Sequence, residues 1–195
     1  MPEYRRVYQS GGTFFFTLVT QGRREIFRDA GNVQRLRQAV REVKEQWPFE
    51  VVAGVVLPDH LHFMWTLPEG DADYSKRIGR MKVLFTRSLR GTVWEDLADG
   101  SDRESRRRHG ESDVWQRRFW EHTIGDERDY ENHFHYLHFN PVKHRLCDCP
   151  HVWEASSFEH WVRLNVYESQ WCCCCGSGGK VRVPYPEELD RTVGE

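Results

Sequence analysis

From Leu57 to Leu67 the chain reads Leu-Pro-Asp-His-Leu-His-Phe-Met-Trp-Thr-Leu, and its alternation permits few folds. Successive side chains of a strand point to opposite faces. Leu61, Phe63, Trp65 and Leu67 then share one face, while His60, His62, Met64 and Thr66 share the other. Such a strand seats one face on a core and aims two imidazoles together from its other side. Further along stands Tyr136-Leu137-His138-Phe139-Asn140-Pro141-Val142-Lys143. On a helix Tyr136 and Asn140 share a face about one turn apart. An HxH pattern alone is more often two polar residues on an exposed strand face. A phenol and an amide at helical spacing change that balance and suggest a tyrosine nucleophile beside a metal-ligand cluster.

The remaining pattern places these motifs in an α+β sheet. Thr13 to Thr20 is an apolar, β-branched and aromatic run after Gly11-Gly12, which predicts a buried strand. Asn32 to Gln46 carries Val33, Leu36, Ala39, Val40 and Val43 at helical spacing and stops before Trp47-Pro48. Phe49 to Val56 is a second strand and Leu61 to Leu67 a third. Asp73 to Leu89 is a helix with Ile78, Met81, Leu84, Phe85 and Leu89 as its apolar stripe and Lys76, Arg77, Arg80, Lys82 and Arg87 over much of the rest. Residues 91 to 113 are polar and glycine-containing, hence a loop. Val114 to Ile124 is a fourth strand. Asp126 to Phe139 is the helix bearing Tyr136, and Pro141 disfavours helical geometry at Asn140, which places that residue near the helix end. The order strand, helix, strand, strand implies helices packed on one face of the sheet.

Length suits one domain, since a chain of 195 residues buries a core without disulfides or a structural metal. Residues 1–170 form that domain and residues 171–195 a Cys/Gly-rich, flexible tail. Met1-Pro2-Glu3-Tyr4-Arg5-Arg6 lacks the apolar core of a signal peptide, and no apolar run approaches a membrane span, so the expected location is the cytoplasm. Net charge is −2, from 28 basic and 30 acidic residues, so any nucleic-acid contact must rest on local clusters. Arg103, Arg106, Arg107 and Arg108, then Arg117 and Arg118, surround Trp115, Phe119 and Trp120 with cations, the mixture that single strands favour. Interspersed acids such as Asp102, Glu104, Glu111 and Asp113 equally fit a solvated loop over a core aromatic group. The cysteines form a CxC, Cys147 and Cys149, and a run from Cys172 to Cys175, without the paired CxxC spacing of a zinc ribbon. Two of the run with Cys147, Cys149, His144 or His151 could make a metal site; the favoured expectation is a tail with reduced thiols.

The chemistry needs these residue types. The HxH and Tyr-Asn motifs resemble those of the single-tyrosine HUH transposases, which implies a phosphodiester substrate. Its charge repels nucleophiles, and a tyrosine hydroxyl, with a reference pKa of about 10, is mostly protonated at neutral pH. A divalent cation held by His60, His62 and the Asn140 amide oxygen would polarise the phosphate, and attack by Tyr136 would leave a phosphotyrosine linkage and a 3′-hydroxyl. Two imidazoles and an amide suit magnesium or manganese better than a thiolate-selecting soft metal, with borderline zinc as the alternative. Tyr130 is the competing nucleophile but lacks an Asn at the fourth following position. His133, His135 and His138 are read as surface or phosphate-contacting residues.

The chain resembles the REP-associated tyrosine transposases, a branch of the single-tyrosine HUH transposases. The resemblance rests on Gly11 to Thr17, Val56-Leu57-Pro58-Asp59-His60-Leu61-His62, Trp65 to Asp73, Trp115-Gln116-Arg117-Arg118-Phe119-Trp120-Glu121-His122 and Tyr136 to His144, and it fades after Ser156-Ser157-Phe158. It implies a ferredoxin-like HUH nuclease fold, an antiparallel sheet with helices packed against it. It also implies a strand transferase that recognises hairpins of repetitive extragenic palindromes and cuts single-stranded DNA beside them, as a monomer or homodimer. Tyr136 is the implied nucleophile, His60, His62 and Asn140 the implied metal ligands, and Arg117, Arg118, Lys143, Lys82 and Arg87 the candidate DNA contacts. His122 matches the family without a role legible in sequence. The family often has Gly after its Lys-His, where this chain has Arg145, which leaves the turn open. Two other classes compete. A hairpin-binding protein without cleavage is disfavoured by the intact His60, His62, Tyr136 and Asn140, and a histidine-metal nucleotide hydrolase would want a third His where Met64 stands.

Overall fold

A computed structural model describes residues 11–98, 113–174, 183–191 and 193. The arginines at 103, 106, 107 and 108 lie outside them, as do Cys175 and the glycines after it. Four strands form one antiparallel sheet in the order β2-β3-β1-β4: β1 (Thr13–Val19), β2 (Glu50–Val56), β3 (His60–Thr66) and β4 (Trp120–Thr123). Every residue of β1 after Thr13 is buried, because both sides of this central strand are covered. That overturns the expectation of helices on one face. Helices α1 (Ala30–Gln46) and α2 (Tyr74–Ser88) pack on one side with Phe14, Phe16, Leu18, Leu61, Phe63 and Trp65. On the other, Phe15, Ala53, Val55 and Met64 meet α4 (Glu127–Lys143) and α5 (Phe158–Arg163). Each fully buried Phe stabilises by roughly 1.5–3 kcal/mol, so a strand with aromatic residues on both faces is driven to be sandwiched.

The helices begin where the sequence supplies caps. Asp29 accepts from Gly31 N, Asp73 from Lys76 N and Asp126 from Asp129 N, which satisfies amides at each N-terminus. Arg77 departs from its expected place on the charged face of α2. It is buried, donates to Asp71 Oδ2 at 2.6 Å, and also reaches the Trp47, Pro48 and Asp73 carbonyls. The loop expected over 91–113 contains a short helix, α3 (Glu95–Ala98). The expected fourth strand is real only over Trp120–Thr123; earlier in it Trp115 makes a single bridge to Thr20.

Pro141 does not end α4, which continues to Lys143. Proline removes one N–H, a small loss in a last turn that is closed by other bonds. His144 N donates to Asn140 O, Arg145 N to Val142 O and Leu146 N to Pro141 O. The last two form a Schellman closure, whose residue after the cap is left-handed and usually glycine. Here Arg145 takes φ 55°, so the turn survives the replacement at the expense of backbone strain.

Candidate active site

Strand pairing puts Thr17 opposite His62 and Val19 opposite His60, so both imidazoles face α4 across the centre of the sheet. The rings lie 5.2 Å apart and are almost wholly buried. Each has its Nδ1 engaged. His60 Nδ1 lies 2.6 Å from Asp59 Oδ1, and a carboxylate accepts, so the ring proton sits there. Thr17 donates its one hydroxyl proton to the Val193 carbonyl, so its oxygen accepts from His62 Nδ1 at 3.0 Å. Both histidines are thereby set as Nδ1–H tautomers with Nε2 as the lone-pair atom, the arrangement that outer partners impose on ligating histidines. Burial would raise the Asp59 pKa, but the His60 hydrogen bond and Arg23, 3.3 Å away, hold it below the usual carboxylate value.

Helix α4 supplies the opposite wall. Tyr136 lies with its ring centroid 5.4 Å from that of His62, and the His144 ring is 5.2 Å from His60. Asn140, fully buried, is spaced four residues from each, on the ridge between the two residues that meet the histidine pair. Two imidazole nitrogens and an amide oxygen of this kind fit a hard or borderline divalent cation with water completing its shell. Sequence reasoning assigned no part here to His144, although the 136–140–144 spacing carried the signal. Thr17 and Asp59 were also missed.

Lys143, expected at a DNA phosphate, instead donates to Tyr136 Oη at 3.1 Å, with its Nζ 4.7 Å from the ring centroid. It also pairs with Asp190 at 3.0 Å. Asp190 belongs to the segment expected to be a flexible tail. Its described part packs on the site: Tyr185 lies 5.0 Å from Tyr136 between ring centroids and Val193 is fully buried. The apolar Tyr185 and Val193 explain this, since each buries surface that a detached tail would leave in water. The thiols also differ from expectation, because Cys149 and Cys173 form a disulfide.

The competing residues separate clearly. Tyr130 stacks on Phe134, 5.8 Å away, while Tyr136 meets His62. His133 and His138 are buried rather than exposed, and His135 is half-buried against Tyr167 Oη at 2.8 Å. His138 is neutral in a closed network: Nδ1 donates to Phe134 O, Nε2 accepts from Ser157 Oγ, and burial pushes its pKa down to about 3. His122 now has a setting. Asp129 takes His122 Nε2 at 2.7 Å on one oxygen and His133 Nδ1 at 2.9 Å on the other, beside the start of α4. Met64 is fully buried, so a third histidine is absent from the strand and its place belongs to the core.

The remaining basic candidates lie elsewhere. Arg117 and Arg118 are exposed just before β4. Lys82 donates to Gln116 O and lies over the Trp115 and Phe119 rings, joining α2 to that same stretch, and Arg87 is exposed near the end of α2.

Residues 9–140 match the family model described as "Transposase IS200 like". A REP-associated tyrosine transposase of Escherichia coli K12 is 39% identical over 171 residues, covering 88% of this chain and 91% of the relative. This chain belongs to the REP-associated tyrosine transposases. A Haemophilus influenzae protein named for the same family is also 39% identical, over 88% of this chain and 93% of its own. A solved REP-associated tyrosine transposase bound to a REP hairpin superposes with a TM-score of 0.76 at 36% identity, covering 100% of this chain and 98% of that one. The α+β HUH architecture of this transposase family is therefore the fold seen here, with the paired histidines on β3 and the tyrosine on α4.

Proposed function

We propose that this transposase is a structure-specific single-stranded DNA endonuclease and strand transferase that acts beside REP-type hairpins through a covalent 5′-phosphotyrosine intermediate. The observation that carries the reading is Tyr136 packed 5.4 Å from His62, on the wall facing two histidines with preset tautomers. Hairpin DNA is the expected partner because the solved relative is bound to one. Such a substrate implies action in the cytoplasm. Arg117 and Arg118 are proposed as phosphate contacts beside Trp115 and Phe119.

Tyr136 Oη attacks phosphorus as the bond to the 3′-oxygen breaks, giving a tyrosyl 5′-phosphate and a 3′-hydroxyl. Lys143 donates to Tyr136 Oη and keeps a cation beside the oxygen that would attack. The same ammonium can return a proton to the phenolate when a 3′-hydroxyl attacks and the strand is rejoined. Asp59 and Thr17 hold the two imidazoles in place. A magnesium or manganese ion on His60, His62 and Asn140 would supply Lewis acidity to the phosphate oxygens.

The test uses labelled oligonucleotides that carry a hairpin and a single-stranded flank taken from palindromic repeats beside the gene. Cutting is expected with magnesium or manganese and not with excess chelator. A label downstream of the cut should remain with the protein through denaturing electrophoresis, and Tyr136→Phe should abolish that adduct while Tyr130→Phe retains it. Hairpin binding without any adduct from the native chain would favour a non-cleaving hairpin-binding protein instead.

A further inference from the structure

The fold brings together two cysteine motifs that sequence leaves 21 or more positions apart. Cys147-Asp148-Cys149-Pro150-His151 follows the turn after α4, and Cys172-Cys173-Cys174 returns beside it after α5. Cys174 N donates to Asp148 O at 2.8 Å, which fastens the two stretches through backbone as well as sulfur. Cys149 Sγ, Cys173 Sγ and a ring nitrogen of His151 lie within 4.8 Å of one another. His151 Nδ1 is a buried nitrogen with no hydrogen-bond partner among the described residues. Two more thiols flank the cluster, Cys147 with its Sγ on Cys149 O at 3.2 Å and Cys174 with its Sγ on Asp148 O at 2.9 Å.

Two sulfurs, an imidazole and a neighbouring third thiol form the donor set of a closed tetrahedral zinc site. Soft thiolates select zinc over the magnesium or manganese suited to the His60, His62 and Asn140 set. The compartment decides which state of the cluster matters. In a reducing cytosol, clustered cysteines are more often metal ligands than lasting disulfides. We propose that in its reduced form this protein holds a structural zinc ion on Cys149, Cys173 and His151, with Cys147 or Cys174 as the fourth ligand. The proposal is independent of the reaction assigned to Tyr136.

The steps balance with a phosphine reductant. It takes oxygen from water to become a phosphine oxide, the Cys149–Cys173 bond breaks, and both sulfurs become thiols. Zinc then displaces the thiol protons on binding. The bound ion would tie the start of the C-terminal segment to the turn after α4. That segment goes on to place Tyr185, Asp190 and Val193 over Tyr136, Lys143 and Thr17.

The full chain carrying His60→Ala, His62→Ala and His122→Ala removes the set facing Tyr136 and the His122–Asp129–His133 group from the assay. Purified with phosphine and dialysed against metal-free buffer, it should retain about one equivalent of zinc by elemental analysis. Replacement by cobalt(II) should give the near-ultraviolet thiolate charge-transfer bands and intense visible bands of a tetrahedral site. Cys149→Ser or Cys173→Ser should remove these bands, His151→Asn should weaken metal affinity at least tenfold, and Cys172→Ser should change neither. Should the serine variants fail to fold, oxidation of the unsubstituted cysteines provides the second measurement: disulfide formation must release the zinc to a chromogenic chelator. A reduced, folded protein without zinc or cobalt bands would overturn the proposal, as would zinc retained through oxidation or in folded Cys149→Ser and Cys173→Ser chains.

Discussion

Lys143 shows how far one residue's role depends on a neighbour that its own motif does not name. A lysine after Asn-Pro-Val in a DNA enzyme reads as a phosphate contact, yet its ammonium lies on Tyr136 Oη and on Asp190. The two roles predict different losses. Lys143→Met should slow adduct formation roughly a hundredfold, the lower end of what a positioned proton donor contributes. Hairpin affinity and its salt slope should stay as they were, because no phosphate contact is removed. Titration of affinity against salt alongside single-turnover cleavage separates the cases: a slope lower by about one unit with unchanged cleavage would put Lys143 back on the DNA. The two histidines were legible at this scale because a two-residue period fixes their shared face. Their tautomers were not, since Thr17 meets His62 only through the β1–β3 register, and Thr17 is itself oriented by Val193.

At the scale of elements, long periodic segments could be read in sequence and short or capped ones could not. Helices α1 and α2 fall within two residues of their expected bounds because apolar spacing and Asp caps agree. Helix α4 outran its reading because a Schellman closure at Arg145 and Leu146 satisfies carbonyls that Pro141 seemed to end. Strand β4 shrank because residues 116–119, Gln-Arg-Arg-Phe, are mostly polar and lie outside the β1–β4 pairing, with the Gln116 carbonyl taken by Lys82 instead. The C-terminal segment was the least legible element. Its contacts join Tyr185 to Tyr136 and Val193 to Thr17, and neither pairing leaves a local pattern. Because that segment packs on Tyr136, the proposed nucleophile, a DNA strand would have to displace it to reach the hydroxyl. A chain ending at residue 182 should therefore cut a saturating hairpin substrate several-fold faster, with hairpin affinity little changed. The single-turnover rate measures this, and a slower rate in a folded truncation would mean that the segment builds the site instead of covering it.

Across the whole molecule, the sheet separates two cores, and the one beneath α4 is held by polar groups as well as apolar ones. His138 is its centre. Gly54 N donates to Ser157 Oγ, Ser157 donates to His138 Nε2, and His138 Nδ1 donates to Phe134 O, so β2, α4 and the start of α5 meet on one neutral imidazole. Protonation would put a second proton on Nε2 facing a hydroxyl already committed to it, within surroundings that exclude water. Burial accordingly lowers the folded-state pKa from 6.5 to about 3. Between these values the unfolded chain binds a proton that the folded chain refuses, so stability rises with pH there. The contribution is complete above pH 6.5 and declines as pH falls toward about 3. His133 and His135, also lowered chiefly by burial, act in the same direction. Urea midpoints taken from pH 8 down to pH 4.5 should fall, most steeply below about pH 6.5. His138→Gln keeps an amide for Ser157 and for the Phe134 carbonyl while removing the titration. That variant should be less stable at pH 8 yet show a shallower decline. A decline as steep as that of the unsubstituted chain would assign the pH dependence to His133 and His135 instead, because Asp59 and Asp129, lowered from 3.8, lose their contribution only at lower pH.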